Sequence, residues 1–321
     1  MRILYITSTR IGDAVLGSGA LAYLVERYPN ARFTVACGPI AAPLFANVPR
    51  LERLISVPKK KYGLHWLILW SKLVTKPWYM VVDMRSSATA WLLPTLHRRI
   101  LSPIKTREHR VVRFSKVVSD AGPLAPHIFA GPDAFARAEA IVPRSDVTLA
   151  LAPTANWFGK QWPIERFIEL AQRLTGPGGM MEGAPVLVLG GPGERTMAEP
   201  LLESLPAERT TALFGDVDLL TAYACLTRCR LFVGNDSGLM HLAAAAGIST
   251  LGLFGPSRET LYGPWGPHGR SLRGASVRQI FDENFDRHAR RTYMTSIEVD
   301  AVLAAAQDML AEEHRKMVAS S

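Results

Sequence analysis

The amino-acid sequence predicts an α/β protein with two parallel-sheet domains. Its 321 residues are 48% hydrophobic and 20% charged, which is sufficient for two cores of about 150 residues each. Short β-branched runs alternate with helical patterns along the whole chain, as is typical of parallel sheets. This alternation restarts at Val147, so we expect the domain boundary at residues 143–146.

The first half contains short apolar runs that we predict to be strands at residues 2–7, 32–37, 54–57, 79–84 and 99–102. A helix is predicted at 14–27 from its apolar spacing. The second half repeats the pattern, with strands predicted at 147–152, 186–189, 211–214, 231–233 and 250–254. Helices are predicted between them at 163–174, 194–205, 218–227 and 238–246.

The C-terminal segment has the apolar stripe of an amphipathic helix over residues 297–316, and Ser296 is placed to cap it. The predicted domains are therefore residues 1–146 and 147–295, followed by a helix within 296–318. Residues 275–294, which are rich in Arg and His, receive no assignment.

Three cysteines, Cys37, Cys225 and Cys229, are too few and too poorly spaced for a disulfide framework or a zinc site. They are interpreted as core thiols in a reducing compartment. The N-terminus begins a strand at once, without the longer apolar region of a secretory signal. These features favour a cytoplasmic protein.

Positive charge is concentrated in the first half of the chain. Residues 1–146 contain 21 Lys and Arg against 9 Asp and Glu, a net charge of +12, whereas residues 147–321 contain 16 against 19, a net charge of −3. Such a charge favours anionic partners, which include a phosphorylated glycolipid, an anionic membrane and nucleic acid. Solvated surface lysines are the alternative interpretation.

The segment Lys59-Lys60-Lys61 precedes an apolar and aromatic run at residues 66–70. Basic and aromatic residues pair in this way at membrane interfaces. The run is too short to span a bilayer. An ordinary buried helix explains it equally well, and both interpretations stay open.

A small polar turn joins a predicted strand to a predicted helix at Asn235-Asp236-Ser237-Gly238. The first turn of a helix has unpaired N–H groups and the positive end of the helix dipole, so Ser237 and Gly238 are candidates to bind a diphosphate. A second small-residue turn, Gly255-Pro256-Ser257, follows the next strand at the same sheet edge, where parallel sheets bind ligands. Helix capping by Asp236 or Ser237 is the simpler alternative.

Lys160 lies on the loop after the strand at 147–152, ahead of a helix with Pro163 in its first turn. A lysine in this place is suited to bind a diphosphate. The glycines at 190–193 do not form GxGxxG, which gives a nicotinamide site little support. The carboxylates and histidines lack metal-ligand spacing, so neither a metal nor another cofactor is expected. Trp162 and Phe167 are interpreted as core residues.

Four motifs together resemble glycosyltransferase family 9, the heptosyltransferases that use ADP-heptose to build the lipopolysaccharide inner core. These motifs are Arg10-Ile11-Gly12-Asp13, Lys160-Gln161-Trp162-Pro163-Ile164-Glu165-Arg166-Phe167, Leu189-Gly190-Gly191-Pro192-Gly193-Glu194, and Asn235-Asp236-Ser237-Gly238-Leu239-Met240-His241 with Phe254-Gly255-Pro256. Their order and spacing fit the family over residues 1–275. The resemblance implies a GT-B fold, with two Rossmann-like domains facing a central cleft and a final helix that crosses back to the first domain.

The resemblance also implies roles for individual residues. Asp13 matches the proposed catalytic base of the family, and capping of a helix at Ala14 is its alternative role. Glu194 matches the glutamate that binds ribose hydroxyls. Arg10 is a candidate to bind an acceptor phosphate or carboxylate, or is simply an exposed loop arginine.

The remaining donor-binding candidates lie in the motifs of the second half. Thr154 and Asn156 stand where family members often place hydroxyl residues ahead of the lysine. Asp236 is assigned to hydroxyls of the donor sugar and Lys160 to the diphosphate. His241 is expected either to neutralise the leaving group or to pack within its helix.

The function predicted from these residues is metal-independent, inverting transfer of heptose from ADP-heptose to an anionic inner-core acceptor of lipid A, Kdo and heptose. We expect this at the cytoplasmic face of the inner membrane, with only peripheral membrane contact. The alternatives are a family member with another nucleotide sugar or acceptor and a noncatalytic protein that binds sugar nucleotides. Nucleic acid is not an expected partner, because no interleaved basic and aromatic RNA motif is present.

Overall fold

The computed structural model describes residues 1–104, 106–143, 147–281, 285–286, 288 and 290–320, with the side chains of 316–320 left out. The chain divides into two compact units, Met1–Gly131 and Pro132–Ser321. Each unit is built on a parallel sheet with helices between its strands. The predicted class of two parallel-sheet α/β domains is therefore confirmed.

The described part of the first unit forms a sheet with strand order β3-β2-β1-β4-β5, and every pairing is parallel. Its strands are β1 (Arg2–Ile6), β2 (Arg32–Cys37), β3 (Leu51–Ser56), β4 (Trp78–Asp83) and β5 (Thr95–Ile100). Its helices are α1 (Ile11–Arg27), α2 (Leu64–Leu73), α3 (Ala88–Trp91) and α4 (Arg110–Val118). The chain runs outward from β1 to β3 and then resumes at β4 on the other side of β1.

The second unit has a sheet with the order β11-β10-β9-β6-β7-β8, again with parallel pairing among the described residues. Its strands are β6 (Thr148–Ala152), β7 (Val186–Leu189), β8 (Thr210–Leu213), β9 (Cys229–Asn235), β10 (Ser249–Phe254) and β11 (Gly269–Arg273). Its helices are α5 (Pro132–Ile141), α6 (Ile164–Thr175), α7 (Arg195–Ser204), α8 (Leu219–Leu226), α9 (Gly238–Ala245), α10 (Glu259–Tyr262), α11 (Val277–Ile280) and α12 (Val299–Ser320).

Both sheets have a point where the strand order reverses direction. In the first sheet this point lies between β1 and β4, and in the second it lies between β6 and β9. Loops that leave two such neighbouring strands diverge to opposite faces of the sheet, which opens a crevice at the carboxyl edge where ligands bind. The candidate residues on the loops after β1, β6 and β9 therefore lie at positions that the topology favours for binding.

Apolar side chains cover both faces of each sheet, because a parallel sheet is buried on both sides. Leu4 and Val81 are fully buried in the first unit. Trp162 and Phe167 are buried in the second, with ring centroids 4.9 Å apart in an edge-to-face arrangement, so their interpretation as core residues is confirmed. The three cysteines are free and buried, and burial raises the pKa of the Cys37 thiol to about 12.

Several elements differ from the sequence prediction. Helix α1 begins at Ile11 instead of 14. Gly12 and Asp13 therefore belong to its first turn and not to a preceding loop. The structure adds α4, α5 and the edge strand β11, which the apolar pattern did not indicate.

The C-terminal helix has the predicted apolar stripe, and Val302, Ala306 and Leu310 are buried in the core of the second unit. Ser296 does not cap this helix, which begins at Val299. Its hydroxyl instead accepts a hydrogen bond from the Ala275 N–H (2.7 Å). Crossing of this helix to the first domain stays a prediction.

Helix α5 belongs to the second unit, where it packs on α8. Arg137 on α5 donates hydrogen bonds to Asp218 Oδ2 (3.0 Å) and Thr221 Oγ1 (2.9 Å). The division between the units therefore precedes α5, whereas the sequence places it at 143–146, of which 144–146 lie outside the described residues. Among the described helices, none has both the length and the apolar content required to span a bilayer.

Candidate active site

Lys160 and Asp236 form an ion pair at the point where the second sheet reverses strand order. Lys160 ends a short 3-10 helix (Phe158–Lys160) on the loop after β6, and Asp236 follows β9 directly. Lys160 Nζ lies 2.5 Å from Asp236 Oδ2, and the two side chains are 24% and 8% exposed. The lysine side chain is thus paired with a carboxylate and still partly exposed to solvent, so a bound anion can approach it.

Ser257 completes this cluster from the loop after β10. Its hydroxyl donates to the same Asp236 oxygen at 2.5 Å. The His241 Nε2 atom lies 3.9 Å from the other oxygen, Oδ1, and the histidine is buried within α9. The Asp236 carboxylate therefore contacts three side chains, which come from the loops after β6 and β10 and from α9.

Asn235 holds the two central loops together. It is fully buried, its Nδ2 donates to Pro153 O (2.7 Å), and its Oδ1 accepts from the Trp162 N–H (3.0 Å). These bonds tie the end of β9 to both ends of the loop that bears Lys160. The pairing of Lys160 with Asp236 consequently rests on a rigid backbone frame.

The N-terminus of α9 opens at the same edge. Ser237 occupies the cap position with an extended backbone but makes no side-chain capping bond. Its Oγ atom is buried and has no hydrogen-bond partner among the described residues. The first-turn N–H groups from Gly238 onward lack helical acceptors, so this hydroxyl and these amides form a donor-rich surface beside Asp236.

Glu194 is oriented by neighbouring residues on the loops after β6 and β7. Its Oε2 accepts hydrogen bonds from Thr154 Oγ1 (2.6 Å) and from the Gly191 N–H (2.8 Å). Glu194 precedes α7, with Gly193 in the left-handed region (φ 80°). A side chain at Gly190 would collide with the Phe214 ring at 2.4 Å, so the close approach of these loops requires glycine there.

Two candidates on the loop from residues 154 to 160 differ in their exposure to solvent. Thr154 is buried and bonded to Glu194, whereas Asn156 is exposed at the tip.

The segment around Tyr293, to which the sequence gave no assignment, lies against this loop. The Tyr293 N–H donates to Gly159 O (3.2 Å), and the Tyr293 ring contacts Trp157 at a centroid distance of 6.0 Å.

Arg273 stabilises the loop that bears Ser257. Its guanidinium group donates to the carbonyls of Gly255 (2.5 Å) and Ser257, and it pairs with Glu259 at 2.6 Å. Burial alone would raise the pKa of Glu259, but the hydrogen bonds and charge of Arg273 bring it below the ordinary 4.5.

The first unit presents its candidates at the reversal point of its own sheet. Arg10 is the exposed cap residue of α1, with no side-chain capping bond, and its N–H donates to Ser8 Oγ (3.2 Å). Asp13 lies in the first turn of α1. Its alternative role as the cap of a helix at Ala14 is therefore wrong, because the helix begins two residues earlier than Asp13. Its Oδ1 atom is buried with no hydrogen-bond partner among the described residues.

A second carboxylate ends the neighbouring strand, because Asp83 pairs in register with Ile6 of β1. It is fully buried and accepts hydrogen bonds from the Arg85 N–H (2.7 Å), the Ser87 N–H (2.6 Å) and Ser87 Oγ (2.7 Å). Burial raises the pKa of this carboxyl despite these bonds. These hydrogen bonds to the carboxylate all come from its own turn, so Asp83 shapes the loop after β4.

More than half of the chain matches the model of a known protein family. Residues 84–282 match the model of glycosyltransferase family 9 (heptosyltransferase). The chain belongs to glycosyltransferase family 9.

Individual relatives extend this assignment over most of the chain. Lipopolysaccharide heptosyltransferase 2 of Salmonella typhimurium is 25% identical over 312 residues, which cover 85% of this chain and 88% of that protein. The crystal structure of the glycosyl transferase family 9 from Veillonella parvula has a TM-score of 0.79 at 21% identity, covering 97% of both chains. The E. coli ADP-heptose lps heptosyltransferase II has a TM-score of 0.74 at 21% identity, covering 98% of this chain and 100% of that one. These two structures show that the chain has the GT-B fold.

The chain is thus a glycosyltransferase, and its donor-side candidates lie together in the second unit. Lys160, Asp236, Ser237, Gly238 and His241 surround the reversal point, and Thr154 and Glu194 lie on the adjoining loops. Arg10 and Asp13 belong to the first unit. The described residues contain no group of three or more His, Cys, Asp or Glu side chains arranged for a metal ion.

Sequence analysis of this family 9 enzyme missed four residues that support the site. Ser257 lies in the Gly255-Pro256-Ser257 turn, which the sequence predicted at the sheet edge. Its hydroxyl could therefore have been recognised as a site residue. Asn235 also lay within a recognised turn, but its partners are backbone atoms of a loop far away in sequence. Arg273 and Asp83 lay outside the recognised motifs. Arg273 bonds to the carbonyls of a separate loop, and Asp83 accepts hydrogen bonds from its own turn.

Proposed function

We propose that this glycosyltransferase moves heptose, with inversion, from ADP-heptose to an anionic inner-core acceptor of lipopolysaccharide. The carrying observation is Lys160 beside the N-terminus of α9, at the point where the second sheet reverses strand order. An ammonium group and unpaired helix amides together suit a diphosphate. The names of the relatives supply the sugar and the acceptor class.

In the proposed reaction, Asp13 takes the proton from the acceptor hydroxyl, and the resulting oxygen attacks the anomeric carbon of the donor sugar. The bond from this carbon to the diphosphate oxygen breaks, and ADP leaves with the electron pair. Lys160 and the first-turn amides of α9 stabilise the charge that develops on the departing diphosphate. Attack opposite the leaving group inverts the anomeric configuration.

The partly buried Asp13 carboxylate supports its role as the base. Its Oδ1 atom makes no hydrogen bond to the described residues, so it is free to accept one from the acceptor hydroxyl. Arg10, which is exposed one turn ahead, is suited to a phosphate or carboxylate of the acceptor. We place this acceptor at the cytoplasmic face of the inner membrane.

Product analysis tests the proposal directly. The purified chain is incubated with ADP-heptose and a panel of truncated lipid A acceptors, and the products are weighed by mass spectrometry. The expected result is the addition of one heptose to one acceptor, with an inverted anomeric centre by NMR. Transfer from a different nucleotide sugar alone would favour another donor. Saturable ADP binding without any transfer would favour a noncatalytic protein.

We also propose that the reaction needs neither a metal ion nor another cofactor, since Lys160 and the α9 amides supply the positive charge. Treatment with EDTA should leave the rate of transfer nearly intact. Loss of activity that Mg²⁺ or Mn²⁺ restores would contradict this.

A further inference from the structure

An exposed apolar surface lies on the first unit, beside the basic segment of residues 59–61. Its members are large apolar side chains that contact solvent: Tyr62, Leu64, Leu67, Trp91 and Leu92. The Tyr62 side chain is 98% exposed, Leu67 is 60% exposed and Trp91 is 63% exposed. Contiguous exposed apolar residues of this size mark interaction sites in soluble proteins. We call these five residues with Lys59–Lys61 the apolar-basic patch.

Helix α2 has apolar side chains on two opposite faces. Leu69 and Leu73 on one face are buried in the core of the first unit. Leu64 and Leu67 on the opposite face contact solvent. The helix is therefore a core element on one side and an exposed apolar surface on the other.

Hydrogen bonds join α2 to α3 and make the patch one surface. Trp70 Nε1 donates to Leu92 O (3.1 Å), and Thr89 Oγ1 donates to Trp66 O (3.2 Å). Tyr62 has φ 55°, a left-handed conformation that is costly for a residue with a side chain. Despite this cost, the turn before α2 keeps the Tyr62 side chain in solvent.

The chain segment that contains the patch is strongly basic, although one of its lysines, Lys76, pairs with Glu52 just before the segment. Residues 53–104 contain nine Lys and Arg but a single acidic residue, Asp83, which is fully buried. Lys60 and Lys72 border a pocket of about 250 Å³ beside α2, which also has Ile68 and Leu69 in its wall. The Arg98 guanidinium lies 5.7 Å from the centre of the Trp91 ring.

An anionic lipid surface matches both properties of the patch. Exposed leucine and aromatic side chains enter the interfacial region of a bilayer, and tyrosine and tryptophan prefer that depth. Lysines beside them are attracted to anionic headgroups. A second copy of the chain fits less well, because a two-fold contact would bring the lysines of both copies together.

We propose that the apolar-basic patch docks this enzyme on an anionic phospholipid surface. Docking would hold the first unit at the leaflet that contains a glycolipid acceptor. The proposal goes beyond the transfer reaction and is tested without donor or acceptor, so its failure and that of the proposed function are distinguishable.

Vesicle flotation with the full chain measures the docking. Phosphatidylcholine vesicles that contain phosphatidylglycerol should bind the protein at least about tenfold more tightly than phosphatidylcholine alone. The Lys59→Glu/Lys61→Glu variant should lose about tenfold or more of this binding, since both substitutions replace attraction to the anionic headgroups by repulsion. Arg27→Glu/Arg32→Glu makes the same change of charge elsewhere on the first unit and should bind nearly as the wild type does. Equal loss in both variants would show diffuse charge attraction and overturn the proposal.

The apolar contribution is tested with Leu64→Ser/Leu67→Ser, which keeps every charge. This variant should also lose at least about tenfold in vesicle binding, because docking would remove the apolar surface of both leucines from water. Unchanged binding would overturn the proposal. Self-association of the wild-type chain without vesicles, if this variant abolished it, would also overturn the proposal. The apolar-basic patch would then be a contact between two copies of the chain.

A site-specific probe reports whether the patch itself meets the lipid. The three native cysteines are buried, so Leu67→Cys introduces a single accessible thiol for an environment-sensitive dye. Its emission should shift to the blue on anionic vesicles, whereas a dye on Met180→Cys, an exposed position in the second unit, should not respond. A shift at Met180→Cys only would place docking elsewhere and overturn the proposal.

Discussion

Lys160 Nζ and Asp236 Oδ2 are 2.5 Å apart although 76 residues separate them in the chain. The carboxylate therefore neutralises the ammonium group in the absence of a ligand. A donor diphosphate must compete with Asp236 for the lysine, or join it as a second anionic partner.

Replacement of Lys160 by alanine should weaken ADP binding about 10- to 100-fold, since a charge-assisted hydrogen bond contributes about 1.5 to 3 kcal/mol. Isothermal titration calorimetry measures this change. Arg209→Ala is the matched control, because it removes one positive charge just before β8, at the opposite edge of the same sheet. Unchanged affinity in Lys160→Ala would show that the diphosphate binds elsewhere.

Asp236→Asn separates the two partners of this pair. It removes the competing charge, so ADP affinity should stay level or rise. Affinity for the intact sugar nucleotide should fall relative to ADP if Asp236 binds sugar hydroxyls. Parallel losses for both ligands would contradict that assignment.

Asp13→Asn should lower kcat by at least about 100-fold, because asparagine cannot accept the acceptor proton. Stability should change by less than about 1 kcal/mol, the usual contribution of a first-turn carboxylate. Asp133→Asn alters an exposed first-turn aspartate of α5 and should leave turnover unchanged. Steady-state kinetics and melting temperature measure the two effects, and near-normal turnover in Asp13→Asn would remove this residue from the mechanism.

Glu194→Ala should reduce discrimination between ADP and 2′-deoxy-ADP by about tenfold or more, because the carboxylate is held ready for ribose hydroxyls by Thr154 and Gly191. The affinity ratio of the two nucleotides is the measurement, since general damage to the site would weaken both equally. Glu199→Ala on the exposed side of α7 is the control. An unaltered ratio would place the ribose away from Glu194.

Glu259→Gln should destabilise the protein only when the carboxyl of the parent is ionised. Arg273 lowers the pKa of Glu259 in the folded state, so this pair stabilises the fold above the ordinary value of 4.5 and loses that effect as pH falls through the lower, folded-state pKa. A loss of about 1 kcal/mol is expected at neutral pH and almost none in strong acid, since the pair is partly solvated. Unfolding curves across this pH range, with the exposed Glu208→Gln as control, provide the test. A pH-independent difference would argue against the pair.

The sequence predicted strands wherever apolar runs are short and buried on both faces. Residues 32–37 and 186–189 were predicted with the bounds that the structure has. Edge strands carry less of this signal, because one of their sides faces solvent. The β11 strand reads Gly-Arg-Ser-Leu-Arg, and β5 was predicted four residues late because four of its residues are exposed.

The motifs similarly located the loops of the site but not the contacts within them. Lys160, Asp236 and Glu194 were each found from a neighbouring strand and helix. The bond from Thr154 to Glu194 and the frame around Asn235 join loops that lie far apart in sequence. No local pattern encodes such contacts, since they depend on which strands become neighbours.

The sequence by itself determined the alternation of strands and helices, the membership in the family and the loops that bear candidate residues, because these follow from local periodicity and short motifs. Only the tertiary structure decided that Lys160 pairs with Asp236 and that α2 exposes one apolar face. The order of strands in a sheet is set by the packing of the whole unit. Placing β9 beside β6 brings their carboxyl ends together, and that adjacency gives Lys160 its partner.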